Sequence, residues 1–529
     1  MTRRVALFAI DAGNRFLLEE WAREGHLPNL RGLLARGLKG RTMSLPGLFT
    51  GATWPAFQTG VNPARNGVFS WMQIVPGTYE ERRCLTGEAL KREPFWNHLG
   101  RAGRRVTVLD IPLSGVSTGL NGVQLVEWGA HDAQYGFRTW PPQLARQIES
   151  RFGRHPMPSS CNADRDTAGY IDLRDRLVAG VRKRSQVMQH FLRKNDWHFF
   201  AQAFSESHCV GHQCWHLHDP AHPRHDAAQA RAVGDPIFDV YRAIDAAIGD
   251  ALGCLDDETT VVVLASHGMG YKYGPQVLVD RILLGLGVAA PAPAAPPAPP
   301  MQRRRDAFDP LLTWGWQHMP KALQTLLGPV RAPLRDWMLP DRPAPPPLVD
   351  PAASLCFRVE NNHAHAGLRV NLIGREPRGR VAPGAEYEAF CETLARDLGD
   401  IVDLDTGKRV VSRVLRTDDL YRGEHRDVLP DLLVEWSDYA PISRIRIGSP
   451  RLPEISGEYT FCRTGDHFPG GMFVAAGPGL PTGTLDRTVS IMDFAPTFCA
   501  MLGVDLPDVD GVPIEALVAP ASSNAVARA

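Results

Sequence analysis

The sequence has no surplus of either charge. Lys+Arg and Asp+Glu each number 58 in 529 residues. A global basic field that would draw in nucleic acid or anionic lipid is therefore excluded, and any anion must be recognised locally. No run of 18 apolar residues occurs, so no transmembrane helix and no membrane partner are expected. The nine cysteines include no CxxC and no regular spacing, which reads as reduced thiols rather than a disulfide framework. The start, MTRRVALFAIDAGN, opens like a signal peptide. Its apolar run stops at Asp11 after six residues without a small-residue cleavage site, so it reads as a first core strand in a cytoplasmic protein. Internal repeats are absent.

What is present is a sizeable core and an alternating pattern. Hydrophobic residues make up 44% of the chain. The length fits about three domains of ~150 residues, or one large α/β domain with insertions. Short apolar or β-rich runs at 5–10, 105–111, 197–204, 259–265, 367–373, 431–436 and 471–477 predict strands. Helices are predicted at 28–37, 88–103, 166–194, 235–254, 383–398 and 492–502. Strand and helix alternating at this spacing predict an α/β fold, a mostly parallel sheet with helices on both faces.

One segment breaks the alternation. Residues 288–300, VAAPAPAAPPAPP, form an Ala/Pro run expected to be extended and exposed, neither helix nor ladder. A Trp-rich patch at 311–319 and a second Pro cluster at 340–351 follow. Residues 285–350 thus read as an insertion, either a lid or partner contact or a tethered surface helix pair. It divides a core of 1–284 and 351–520, and a disordered tail is expected at 521–529.

In open α/β sheets ligands gather at the C-terminal ends of strands. Asp11 follows the first predicted strand. Ser205, Glu206, His208 and His212 follow 197–204, and Ser266 and His267 follow 259–265. Asp466 and His467 precede 471–477. His208 and His212, four apart, share a face if their segment is helical, as a metal pair requires. The same window holds His216, His218, His222 and His225, and a wet histidine-rich loop explains it as well.

Several ordered stretches resemble the alkaline phosphatase superfamily in its nucleotide pyrophosphatase/phosphodiesterase branch. They are RVALFAIDAGNRFLLEEWAREGHLPNLRGLLARG at 4–37, PGLFTGATWPAFQTGVNPARNGVFSW at 46–71, ASHGMG at 265–270 and NLIGREPRGRVAPGAEYEAF at 371–390. LPDLLVEW at 429–436, GDHFPGG at 465–471 and VSIMDFAPTFCAMLGVDLPDVDGVP at 489–513 complete the series. The resemblance implies an alkaline phosphatase-like core and hydrolysis of a small phosphodiester, pyrophosphate or phosphomonoester.

It implies Asp11 as a metal-bound carboxylate and Thr50 as nucleophile and metal ligand, with Thr53 as fallback. A metal-activated alcohol attacks as alkoxide, and N–H groups at the following helix start hold the anion. A plain helix cap is the other reading of Thr50. One metal takes His212 and His467, with His208 where the family has Asp. The second takes Asp11, Thr50 and a pair that is here Ser266–His267 in place of Asp–His. Asn66 stands where a His is usual. One or two zinc ions, or manganese, are the implied cofactors.

Losing two carboxylates raises the charge of a two-metal site from about +1 to about +3. Glu206 or Asp466 as an extra ligand, a more highly charged substrate, or a single ion would relieve this. A degenerate, non-catalytic binding protein is the competing reading. A sulfatase is disfavoured because FTGATW lacks the C/S-x-P-x-R pattern. Arg375 and Glu376 are expected to pair with each other, Asp431 to be structural and Trp54 to pack under the nucleophile turn. Asn361, Asn362, His363 and His365 form a polar run that either faces the pocket or makes a loop.

Overall fold

The computed structural model describes residues 3–130, 133–157, 163–271, 274–293, 347–362, 364–437 and 444–518. Most of the insertion (294–346), His363 and the tail lie outside these residues.

The first strand, Arg4–Ile10, lies at the centre of a ten-stranded sheet. It runs parallel to Phe199–Phe204 on one side and to Thr259–Ala265 on the other. Val106–Leu109 continues the parallel set beyond Phe199–Phe204, followed by Gly122–Val126. The opposite flank is antiparallel: Gly470–Ala476 beside Thr259–Ala265, then Leu38–Met43.

The period-two geometry of a strand sends alternate side chains to opposite faces, and here both faces are buried. Ala6, Phe8 and Ile10 join one apolar core with helices Thr167–Leu192, Glu206–His218 and Pro236–Leu252. Val5, Leu7 and Ala9 join a second with Thr53–Thr59, Phe95–Arg101 and Phe494–Met501. This is the expected α/β architecture.

Four corrections to the expected elements follow. The runs at 367–373 and 431–436 do form strands, but Ala366–Val370 and Leu432–Trp436 belong to a separate four-stranded antiparallel sheet. That sheet and helix Ala385–Gly399 have their own apolar core. The helix expected over 88–103 is confined to Phe95–Arg101, because Pro94 occupies its N-cap and cannot extend it backwards. At the near end of the Ala/Pro run, Ala290–Pro291 pairs antiparallel with Val349–Asp350; a two-residue edge ladder tolerates a proline. Cys209 is disulfide-bonded, whereas seven other cysteines are free thiols; no CxxC spacing flagged it. Among the described residues no helix is long and apolar enough to cross a membrane.

Candidate active site

The segment after Phe199–Phe204 turns directly into helix Glu206–His218, so His208 and His212 do share a helical face. A two-stranded ribbon, Gly268–Tyr271 against Gly465–Phe468, carries the other histidines to the same place. His467 stands on this ribbon, and His267 immediately precedes it. The ring centroids of His208 and His212 are each 4.7 Å from that of His467, and His267 is 4.8 Å from it. The ligand atoms of His208, His212 and His467 all lie within 4.8 Å of one another.

Hydrogen bonds fix the tautomers. His212 Nδ1 donates to the Gly465 carbonyl at 2.8 Å, and His208 Nδ1 donates to Asp11 Oδ2 at 2.8 Å. Both rings then turn Nε2 inward, where the two atoms are 3.0 Å apart. Two facing lone pairs at that separation need a cation between them, either a proton or a metal ion. Two nitrogens bound to one tetrahedral zinc at its usual bond length stand about 3.3 Å apart. The donor set therefore fits a zinc-type ion.

Asp11 meets the cluster through His208. Its Oδ1 accepts from Trp54 Nε1 at 2.8 Å, so both oxygens have partners. Burial raises the Asp11 carboxyl, but the charge and hydrogen bond of His208, with His267 and Trp54, bring it down to about 2. A carboxylate behind a histidine orients the ring and makes it a stronger ligand. Asp11→Asn is expected to weaken zinc binding about 10–100-fold, measurable by competition with a chromogenic chelator.

Thr50 lines a cavity of about 420 Å³ together with Asp11, His208, His267 and His467. It does not cap the following helix, whose N-cap is Ala52 with no side-chain hydrogen bond. Beside it, a Cβ on Gly51 would lie 2.2 Å from Asn362 Nδ2, so only glycine fits. Asn362 lines the cavity, whereas Asn361 donates to the Gly47 carbonyl at 2.8 Å and braces the turn. His365 packs edge-on against Phe49. Thr53 is fully buried, with its hydroxyl on Ser44 and the Phe49 carbonyl.

The remaining expected residues are placed as follows. Ser266 is buried and bonds His267 Nδ1 at 2.9 Å; it does not line the cavity. Burial pushes His267 down to about 4, so the ring is neutral at pH 7. Glu206 faces away from the three-histidine cluster, fully buried against Arg184 and His155 at 3.1 and 3.0 Å. Asp466 Oδ1 accepts from the His467 amide at 2.9 Å. Asn66 is buried, its amide on the Val61 carbonyl and the Val68 N–H. Arg375 pairs with Glu376 and with buried Asp431, away from the cavity.

A family model for type I phosphodiesterase/nucleotide pyrophosphatase matches residues 5–278. The chain belongs to that family. Membership makes it a relative of phosphoric-ester hydrolases, and the matched span includes Asp11, Thr50, His208, His212 and His267 of this family member. Similar solved structures include phosphonoacetate hydrolase from Sinorhizobium meliloti 1021 in complex with phosphonoacetate, at 14% identity and TM-score 0.46, covering 93% of this chain and 94% of that one. Murine ectonucleotide pyrophosphatase/phosphodiesterase 5, as an inactive variant in complex with AMP, is 11% identical with TM-score 0.44, covering 96% and 97%. A comparison with curated proteins gives no match.

Among the cavity residues that sequence reasoning missed are Arg83, Arg463, Trp71 and Phe461. Arg83 ends a short hairpin strand, Glu81–Arg83, and Arg463 stands two residues before GDHFPGG. Neither has a composition signal, but Arg463 sits close enough to a recognised segment to have been suspected. The ribbon also sets a tight glycine. A Cβ on Gly465 would lie 2.2 Å from the Gly211 carbonyl. Gly465→Ala is expected to cost about 1–3 kcal/mol through forced backbone movement, read as a lowered urea midpoint.

Proposed function

We propose that the protein is a divalent-metal-dependent hydrolase of phosphoric esters that works through Thr50 and a phosphothreonine intermediate. The observation that carries this reading is the convergence, from distant parts of the chain, of Thr50, Asp11, His208, His267 and His467 around one cavity, with His212 beside His208 and His467. His208, His212 and His467 would hold the ion. Zinc suits a neutral three-nitrogen set best, with manganese as the alternative. Once bound, the ion supplies Lewis acidity and lowers the pKa of a nearby alcohol or water.

The Thr50 oxygen attacks phosphorus in line with the departing ester oxygen. Water then cleaves the phosphothreonine in a second displacement. Little covalent change falls to the protein, so positioning and charge supply most of the rate. Among the described residues that line the cavity, Asp11 is the one carboxylate and Arg83 and Arg463 are the cations. That balance suits a highly charged substrate. A single ion at the three histidines fits better than two, because Ser266 offers a neutral hydroxyl that is engaged with His267.

The competing reading, a non-catalytic binding protein, draws on Ser266 and on Glu206, whose carboxylate is committed to Arg184. Purified protein with zinc or manganese is expected to turn over p-nitrophenyl phosphate or bis-p-nitrophenyl phosphate, and to lose that activity to chelators. No turnover of either ester, with no bound metal, would overturn the hydrolase reading.

A further inference from the structure

We propose that Arg184 is a positioning residue for the reaction, acting through Glu206 and Asp110 to hold the metal-ligand helix and one wall of the cavity in register. The inference rests on the metal-site and hydrolase reading above and deepens it.

Three observations carry it. The first is reach. Arg184 is buried on helix Thr167–Leu192. Its Nε donates to Glu206 Oε1 at 3.1 Å, its Nη1 to Asp110 Oδ2 at 2.5 Å and its Nη2 to the Gly129 carbonyl at 2.8 Å. Glu206 is the first residue of the helix that carries His208 and His212. Asp110 directly follows strand Val106–Leu109 and leads into Pro112 and Leu113, which line the cavity. One rigid guanidinium fork thus ties the ligand helix to a cavity wall.

The second is that the partners are themselves anchored. Asp110 accepts from the Trp128 and Gly129 N–H groups at 2.9 and 3.0 Å. Met157 donates its N–H to His155 Nδ1 at 3.1 Å, which leaves the ring proton on Nε2, 3.0 Å from Glu206 Oε1. Gly180, inside the long helix, makes room for that ring: a Cβ there would lie 2.6 Å from His155 Cε1. A glycine in a helix interior weakens the helix, so this position is given over to the cluster.

The third is backbone strain. Asp110 has φ 50°, in the left-handed region that few non-glycine residues adopt. Leu113, on the cavity wall, has φ 55°. Such a backbone persists where its surroundings over-determine it, and the hydrogen bonds on the Asp110 carboxylate do so. A buried ion cluster is a poor source of stability, because desolvation offsets most of its attraction. What it fixes is geometry, and catalysis by positioning tolerates little displacement.

The test compares wild type with Arg184→Lys, Glu206→Gln and a control, Arg369→Lys. Arg369 is also buried, bonded to Glu376 and to the Asp427 and Leu429 carbonyls in the separate antiparallel sheet. Lysine keeps the charge but offers one point in place of a three-way fork. Both lysine variants are expected to lower the urea midpoint. Zinc affinity, read without urea by competition with a chromogenic chelator, is expected to fall about 10–100-fold in Arg184→Lys, by a smaller factor in Glu206→Gln and by less than about twofold in Arg369→Lys. For p-nitrophenyl phosphate, kcat is expected to fall about 10–100-fold in Arg184→Lys, with KM within about threefold of wild type. Zinc affinity and kcat both within about twofold of wild type in Arg184→Lys, or equal losses in Arg184→Lys and Arg369→Lys, overturn the assignment. Where Arg184→Lys does not fold, Glu206→Gln decides by the same criteria. A wild type that binds zinc but turns over no ester sinks the hydrolase reading, and the zinc affinities still decide the role of Arg184. A wild type that binds no zinc overturns both.

Discussion

Thr50→Ala is expected to lower turnover by at least about 10⁴-fold and to leave bound zinc in place. On the proposed mechanism, loss of the Thr50 hydroxyl abolishes the central step, and only positioning and charge stabilisation remain. The neighbouring hydroxyl does not substitute. Thr53 is fully buried and bonded to Ser44 and the Phe49 carbonyl, and it does not line the cavity. Thr50→Ser keeps a hydroxyl at the same atom position and is expected to retain most activity. Steady-state phosphate release checks the rate, and acid quenching with labelled substrate checks for the covalent phosphothreonine. Activity in Thr50→Ala above about a tenth of wild type would remove Thr50 from the mechanism.

The second large effect is expected at His212. A structural zinc site is worth about 10–16 kcal/mol in total. One imidazole of three then carries about 3–5 kcal/mol, so His212→Ala should weaken zinc binding about 10²–10⁴-fold. The double variant His208→Ala/His212→Ala should purify without zinc. His212 is fully buried, and its Nδ1 is already committed to the Gly465 carbonyl. Metal analysis after dialysis reads the result directly, and unchanged zinc in the double variant would show that the ion lies elsewhere.

Much of this was legible in the chain. The buried parallel strands announced themselves as unbroken apolar runs, because both of their faces are covered. The spacing of His208 and His212 became informative once the segment was helical. Two kinds of feature were not legible. Leu38–Met43 alternates buried and exposed residues around Lys39 and Arg41, and carries no apolar run to mark it. Partner choice among polar groups is set by folding, not by spacing. Nothing in the sequence says that Glu206 turns to Arg184, that Asp11 holds His208, or that Trp54 donates to Asp11. Arg463 escaped notice for the same reason: an arginine in a loop is ordinary until its neighbours are known.

The order in which the sheet is wired has a consequence for biosynthesis. Leu38–Met43 finds its sheet partners among Gly470–Ala476, Gly483–Thr484 and Val489–Ser490, and His467 lies just before the first of these. On the ribosome, an edge made early must wait unpaired until almost the whole polypeptide has emerged. The nascent chain lacks His467 for the same interval, so the three-histidine cluster cannot assemble before the end of translation. Prematurely terminated products are left with an open β-edge, a template for aggregation, and without the assembled histidine cluster.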